Sequence, residues 1–136
     1  MKWRKQKDVA DILGPLELEV MAALWQADVM TVGEVLTKLN DTRRSPLAYT
    51  SVQTVMTRLA DKGILQRVRK GRAYQYRAAT DEQGLLALRA GQRVAELLDD
   101  YGDLAIAGFA AALESDPKAL ETLHRALNGQ DDESQK

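Results

Sequence analysis

The chain has 136 residues, 45% hydrophobic and 29% charged, which suits one domain with a real core, or a small head plus an oligomerisation segment, and excludes wholesale disorder. It has no Cys, so disulfides, thiolate catalysis, iron–sulfur clusters and Cys-based zinc sites are excluded, and no apolar run approaches the ~18 residues of a membrane span. The net charge of −1 divides unevenly: residues 1–78 carry 14 Lys/Arg against 8 Asp/Glu, and residues 79–136 carry 5 against 12, a basic half (+6) joined to an acidic half (−7).

Residues 1–12 read as a basic N-terminal arm. Met1–Lys7 is cationic, but Asp8-Val9-Ala10-Asp11 follows where a signal peptide needs an apolar stretch, so a cytoplasmic protein without membrane insertion is expected. A first helix is predicted over 15–26, with Pro15 in its first turn and Leu16, Val20 and Leu24 on one stripe. Asp28 to Met30 is a short connection. Thr31 and Glu34 form a capping box that opens a second helix of about nine residues carrying Val32, Val35, Leu36 and Leu39. Asn40 to Pro46 has turn chemistry. A third helix runs from about Thr50 to Lys62 with Val52, Val55, Met56 and Leu59 buried, and Gly63 follows as its C′ residue. Ile64–Lys70 and Ala73–Arg77 flank Gly71-Arg72 as a hairpin. Three short helices and a basic-tipped hairpin are the order of a winged helix-turn-helix, placed at 13–78. The fold class is therefore mainly α with a small β wing.

Beyond Ala79 the pattern is helical. Thr80 with Gln83 forms a second capping box, opening a helix to about Asp100 that contains Leu97 and Leu98. Gly102 interrupts it. A helix over about 103–114 buries Leu104, Phe109 and Leu113, and Asp116-Pro117 starts another with Leu120, Leu123 and Leu127 as its stripe, ended by Asn128-Gly129. Residues 79–129 are thus a helical dimerisation region, and 130–136 a disordered tail. Helices with Leu stripes and few aromatics bury little alone, so these eight apolar residues are the expected dimer contacts; an intramolecular bundle with a single head is the alternative.

The polar side of the third helix carries Thr50, Ser51, Gln53, Thr54, Thr57 and Arg58. Few of these are the Glu and Lys that usually solvate a surface helix. In a major groove Gln pairs with adenine and Arg with guanine, while short hydroxyls let the backbone approach phosphates. A face that merely happens to be Thr-rich is the competing explanation. Arg67, Arg69, Lys70 and Arg72 surround Gly71 with no acid in the segment. Edge strands use such cations against aggregation; a wing that tracks phosphates accounts for the rest of the density. Tyr74, Tyr76 and Trp25 read as packing residues.

At these residues a family resemblance becomes specific. Leu13-Gly14-Pro15-Leu16-Glu17-Leu18-Glu19-Val20-Met21, then Leu24-Trp25, then Tyr49-Thr50-Ser51-Val52-Gln53-Thr54-Val55-Met56-Thr57-Arg58-Leu59, Lys62-Gly63 and Lys70-Gly71-Arg72-Ala73-Tyr74-Gln75-Tyr76 resemble the BlaI/MecI/CopY family of penicillinase repressors. The resemblance implies a homodimeric repressor on a palindromic operator of double-stranded DNA. It also implies that Tyr49, Arg69, Lys70 and Arg72 hold the DNA backbone. β-Lactamase control, and with it antibiotic resistance, is the family's best-known role.

The chain departs from its relatives in the switch. Penicillinase repressors are inactivated by a sensor-linked peptidase that cuts an Asn-Phe bond, whereas the comparable stretch here is Tyr101-Gly102-Asp103-Leu104. Copper-responsive members use Cys pairs, which this chain lacks. His124 is the single histidine and makes no metal site; no metal and no cofactor are expected. An enzyme is disfavoured, as no nucleophile–base arrangement or phosphate-binding glycine loop is present. A winged helix used for protein interaction, or a repressor of another winged-helix family, is the alternative reading.

Overall fold

A computed structural model describes residues 5–134, with side chains described to Gly129; the first four residues of the basic arm and the last two of the tail lie outside them. The chain divides into two compact units, Gln6–Arg89 and a second from Ala90 onward.

The first unit opens with a helical turn inside the segment expected to be an arm. In α1 (Val9–Ile12), Asp8 accepts from Ala10 N and Asp11 closes back on Asp8 N, and Val9 is buried. With Leu13, Val9 joins the core, so the C-terminal part of that segment belongs to the folded head. α2 (Pro15–Gln26) begins on Pro15, where the missing N–H costs nothing, and Glu17 Oε1 accepts from Gly14 N at 2.8 Å. Its Val20, Met21, Ala23 and Leu24 are buried. α3 (Val32–Asn40) has the reciprocal Thr31/Glu34 capping box, and α4 (Tyr49–Asp61) buries Val52, Met56 and Leu59 completely. The three helices close one core with Ile64, Leu65 and Tyr76 of the wing.

The wing is an antiparallel hairpin of β1 (Leu65–Lys70) and β2 (Ala73–Ala78), registered Leu65 to Ala78 and Lys70 to Ala73. Gly71 takes φ +65° at the first central position while Arg72 stays at negative φ, the pattern of a type II′ turn. The connection before α3 does more than link helices. Met30 N donates to Tyr76 O at 2.9 Å and Tyr76 N to Met30 O at 2.8 Å, which adds a one-residue third strand to the wing.

α5 (Glu82–Tyr101) crosses the boundary between the units. Its cap is Asp81, whose Oδ1 accepts from Gly84 N at 2.8 Å, one residue later than the expected Thr80 box. An Asp carboxylate is the stronger partner for a helix's orphan N–H groups. Thr80 instead serves α2, since its carbonyl accepts the Trp25 indole N–H at 2.9 Å. Leu85 is buried in the core of the head.

In the second unit Gly102, at φ +57°, breaks α5 from α6 (Asp103–Glu114), and Asp116 caps α7 (Pro117–Ser134) through Lys118 N and Ala119 N. α7 does not stop at Asn128-Gly129 but runs to Ser134, because a single Asn-Gly pair lowers helix propensity without blocking a hydrogen bond as Pro would. α6 and α7 pack together, with Leu113 buried. Leu104 and Phe109, expected to be buried by their own helix, are exposed in the single chain.

Candidate nucleic-acid interface

The polar face of α4 is built by subtraction. Val52, Met56 and Leu59 are drawn fully into the core, so Thr50, Ser51, Gln53, Thr54 and Arg58 are left exposed and Thr57 half-buried. The side chains therefore divide as their periodicity predicts, with the whole hydroxyl-and-amide set plus Arg58 on the outer side. Thr54 Oγ1 donates to Thr50 O at 2.8 Å, which leaves its lone pairs available outward. No ion pair engages Arg58 among the described residues.

The segment leading into α4 is fixed by one side chain. Asn40 accepts from Leu47 N at 2.7 Å and donates to Leu47 O at 3.2 Å, closing the turn like a strand pair. Arg43 reaches back to Glu19 of α2 at 3.3 Å. Lys62, just past α4, faces Glu17 at 3.8 Å. The segment before α4 is thus held to α3 through Asn40 and its C-terminal end faces α2 through Lys62, and the exposed face is presented on a braced helix. The sequence carries no local signal for the ties to α2, because the partners are some 24 to 45 positions apart.

The wing cations fall into two groups. Lys70 and Arg72 flank the turn, exposed and without an ion-pair partner among the described residues. Arg67 is engaged within the protein: it faces Asp61 at 3.7 Å, and its guanidinium lies 5.5 Å from the Tyr74 ring centre and 5.7 Å from that of Tyr76. Arg69 is intermediate, 5.7 Å from the Tyr74 ring with its Nε donating to Gly71 O at 3.3 Å. Cross-strand register explains the stack, because Arg67 pairs with Tyr76 and Arg69 with Tyr74 on one face of the hairpin. Tyr76 is the packing residue expected. Tyr74 is half exposed and carries two cations, a role its aromatic character alone does not reveal. Tyr49 is exposed at the first position of α4. Apolar groups of the kind a protein-binding surface needs are few here.

Among the described residues no cluster of His, Asp and Glu is arranged to hold a metal ion, and no helix is long and apolar enough to cross a membrane.

A helix-turn-helix with a braced polar helix and a cation-tipped wing is the architecture of winged-helix DNA-binding regulators. The model of the penicillinase repressor family matches residues 13–129, and the chain belongs to that family, one of transcriptional repressors rather than enzymes. It is 40% identical over 76 residues to the transcriptional regulator BlaI of Mycobacterium tuberculosis, covering 55% of this chain and 54% of that protein. It is 31% identical over 74 residues to the penicillinase repressor of Bacillus licheniformis, covering 54% of this chain and 56% of that one. The chain thus aligns with about half the length of these relatives. Among solved structures it is similar to the DNA-binding domain of the repressor BlaI, with 29% identity and a TM-score of 0.46 over 57% of this chain and 90% of that one. It also resembles TrmBL2, an archaeal chromatin protein, with 19% identity and a TM-score of 0.50 over 84% of this chain and 42% of that one.

Proposed function

We propose that the chain is a sequence-specific transcriptional repressor that binds a palindromic operator as a homodimer. The observation that carries this is the outer face of α4: six polar side chains able to read or approach DNA, on a helix anchored in the core by Val52, Met56 and Leu59, beside wing-tip cations with no ion-pair partner among the described residues. Gln53 and Arg58 are the base-reading pair, Thr50, Ser51, Thr54 and Thr57 allow close approach, and Tyr49, Arg69, Lys70 and Arg72 hold phosphates. Arg67, already held by Asp61 and two rings, positions the wing instead of contacting DNA.

Support for the homodimer comes from the second unit. Leu104 is 74% exposed, Phe109 56% and Leu127 66%, and Leu97, Leu98 and Leu120 are exposed beside them. Val94, Tyr101 and Ile106, absent from the expected contact set, belong to the same exposed apolar population. Burying such side chains contributes about 1.5–3 kcal/mol each, so a second copy is the natural cover. Relief of repression by a sensor-linked peptidase is carried over from the family; the exposed break at Gly102 is where such a cut would fall.

The test is selection of bound sequences from a random duplex pool by the full chain. An inverted repeat with half-sites about one helical turn apart is expected. Arg58→Ala should then cost roughly 1–3 kcal/mol per half-site of that repeat and little on unrelated DNA. A pool that stays random after selection, or an equal loss on both duplexes, would overturn base reading.

A further inference from the structure

Between the start of α3, the first turn of α4 and the wing lies a recess of about 330 Å³, lined by Thr31, Tyr49, Gln53, Arg72, Tyr74 and Tyr76. The volume falls in the ~300–1,000 Å³ range of small-ligand sites, and aromatic walls with a few placed polar groups are their usual composition. None of the lining residues is acidic. Arg72 is the one charged side chain of the lining; outside it Arg67 and Arg69 lie 5.5 and 5.7 Å from the centre of the Tyr74 ring, and the Glu34 carboxylate is held by Thr31 N at 2.9 Å. The occupant is therefore anionic. A bare phosphate would use Arg72 and leave the half-exposed rings of Tyr49 and Tyr74 in contact with water. A sugar would need several free polar partners, and Thr31 Oγ1 already accepts from Glu34 N at 3.1 Å. A flat aromatic carboxylate uses both halves of the wall, its ring against the tyrosines and its carboxylate on the Arg72 fork.

We propose that this recess binds a one- or two-ring aromatic carboxylate, and that the bound ligand excludes operator DNA because Tyr49, Gln53 and Arg72 serve both. The exclusion rests on the DNA-binding function proposed above; the ligand site does not.

The full chain is titrated by calorimetry, without DNA, against 1-naphthoate, with inorganic phosphate and cyclohexanecarboxylate as controls. One naphthoate per chain is expected, with both controls at least about tenfold weaker. Arg72→Gln removes the charged partner, and Tyr74→Leu removes the half-exposed ring of the wall without touching a charge. Each should weaken naphthoate binding by about tenfold or more, the scale of one lost charged hydrogen-bonding partner. With naphthoate at ten times its own Kd, each recess contributes a factor of about 11, so the apparent Kd of the homodimer for the selected operator should rise about 120-fold. Absence of naphthoate binding, unchanged binding in Tyr74→Leu, or phosphate binding as tightly as naphthoate each overturns the site; the last would make the recess a seat for a backbone phosphate. Naphthoate binding that leaves the operator Kd unmoved overturns the exclusion. A chain that binds naphthoate but no DNA sequence specifically upholds the site and overturns the proposed function.

Discussion

Single side chains with one long reach do much of the positioning in this molecule. Trp25, on α2, donates its indole N–H to the carbonyl of Thr80, 55 positions away. Half-buried and packed against the core, the ring ties the helical part of the head to the residue just before α5. Trp25→Phe keeps most of the apolar area but leaves the Thr80 carbonyl without this donor, which should lower stability by about 1 kcal/mol in urea unfolding. An unchanged midpoint would mean water replaces the indole at no cost. Periodicity identifies Trp25 as a packing residue but is silent on its partner, because a hydrogen bond across 55 positions leaves no local pattern. Arg43 and Lys62 repeat the point through Glu19 and Glu17. The exposed face of α4 is legible for the opposite reason: Val52, Met56 and Leu59 recur at helical spacing, and whatever alternates with them must face out.

At the scale of elements, the wing and the start of α5 show where local signals mislead. The cation count around Gly71 predicts four phosphate contacts, yet register places Arg67 opposite Tyr76 and within reach of Asp61. Each phosphate neutralised contributes about 0.9 to the slope of log K against log salt. Lys70→Gln with Arg72→Gln should therefore reduce that slope by about 1.8 per protomer, about 3.6 for the homodimer, while Arg67→Gln should leave it nearly unchanged. A full decrement from Arg67→Gln would put this residue on DNA after all. The first turn of α5 makes the second case. A Cβ at Gly84 would collide with the Thr80 side chain, whose backbone carbonyl receives Trp25. Gly→Ala inside a helix ordinarily stabilises by about 1 kcal/mol. Here Gly84→Ala should destabilise, because Thr80 must move and the indole bond moves with it; a raised thermal midpoint would show that Thr80 swings away freely. Capping rules point to Thr80 for its hydroxyl, whereas Asp81 caps and Thr80 packs over Gly84.

For the whole molecule, the division of charge and the division of burial agree. The basic half contains nearly the entire core: among the described residues the buried hydrophobic side chains beyond residue 78 are Leu85, in the unit ending at Arg89, and Leu113, in the unit beginning at Ala90. That acidic unit consists of helices broken at Gly102 and at Ser115-Asp116, and it keeps large apolar residues exposed on α5, α6 and α7. Such a segment gains little from folding alone and much from association. Leu104→Asp combined with Phe109→Asp removes little from the single chain, since both side chains are already exposed there. In the homodimer it would bury uncompensated carboxylates at the contact, which costs several kcal/mol per charge. The double variant should therefore sediment as a monomer with its head still folded, and its unfolding midpoint should stop depending on protein concentration. Two heads joined through their helices bind two half-sites as one event, so its affinity for the full inverted repeat should fall roughly 10²–10⁴-fold toward the half-site value. A double variant that still sediments as a dimer places the interface elsewhere. One that is monomeric yet binds the full repeat as tightly as the parent chain shows that dimerisation contributes nothing to operator affinity.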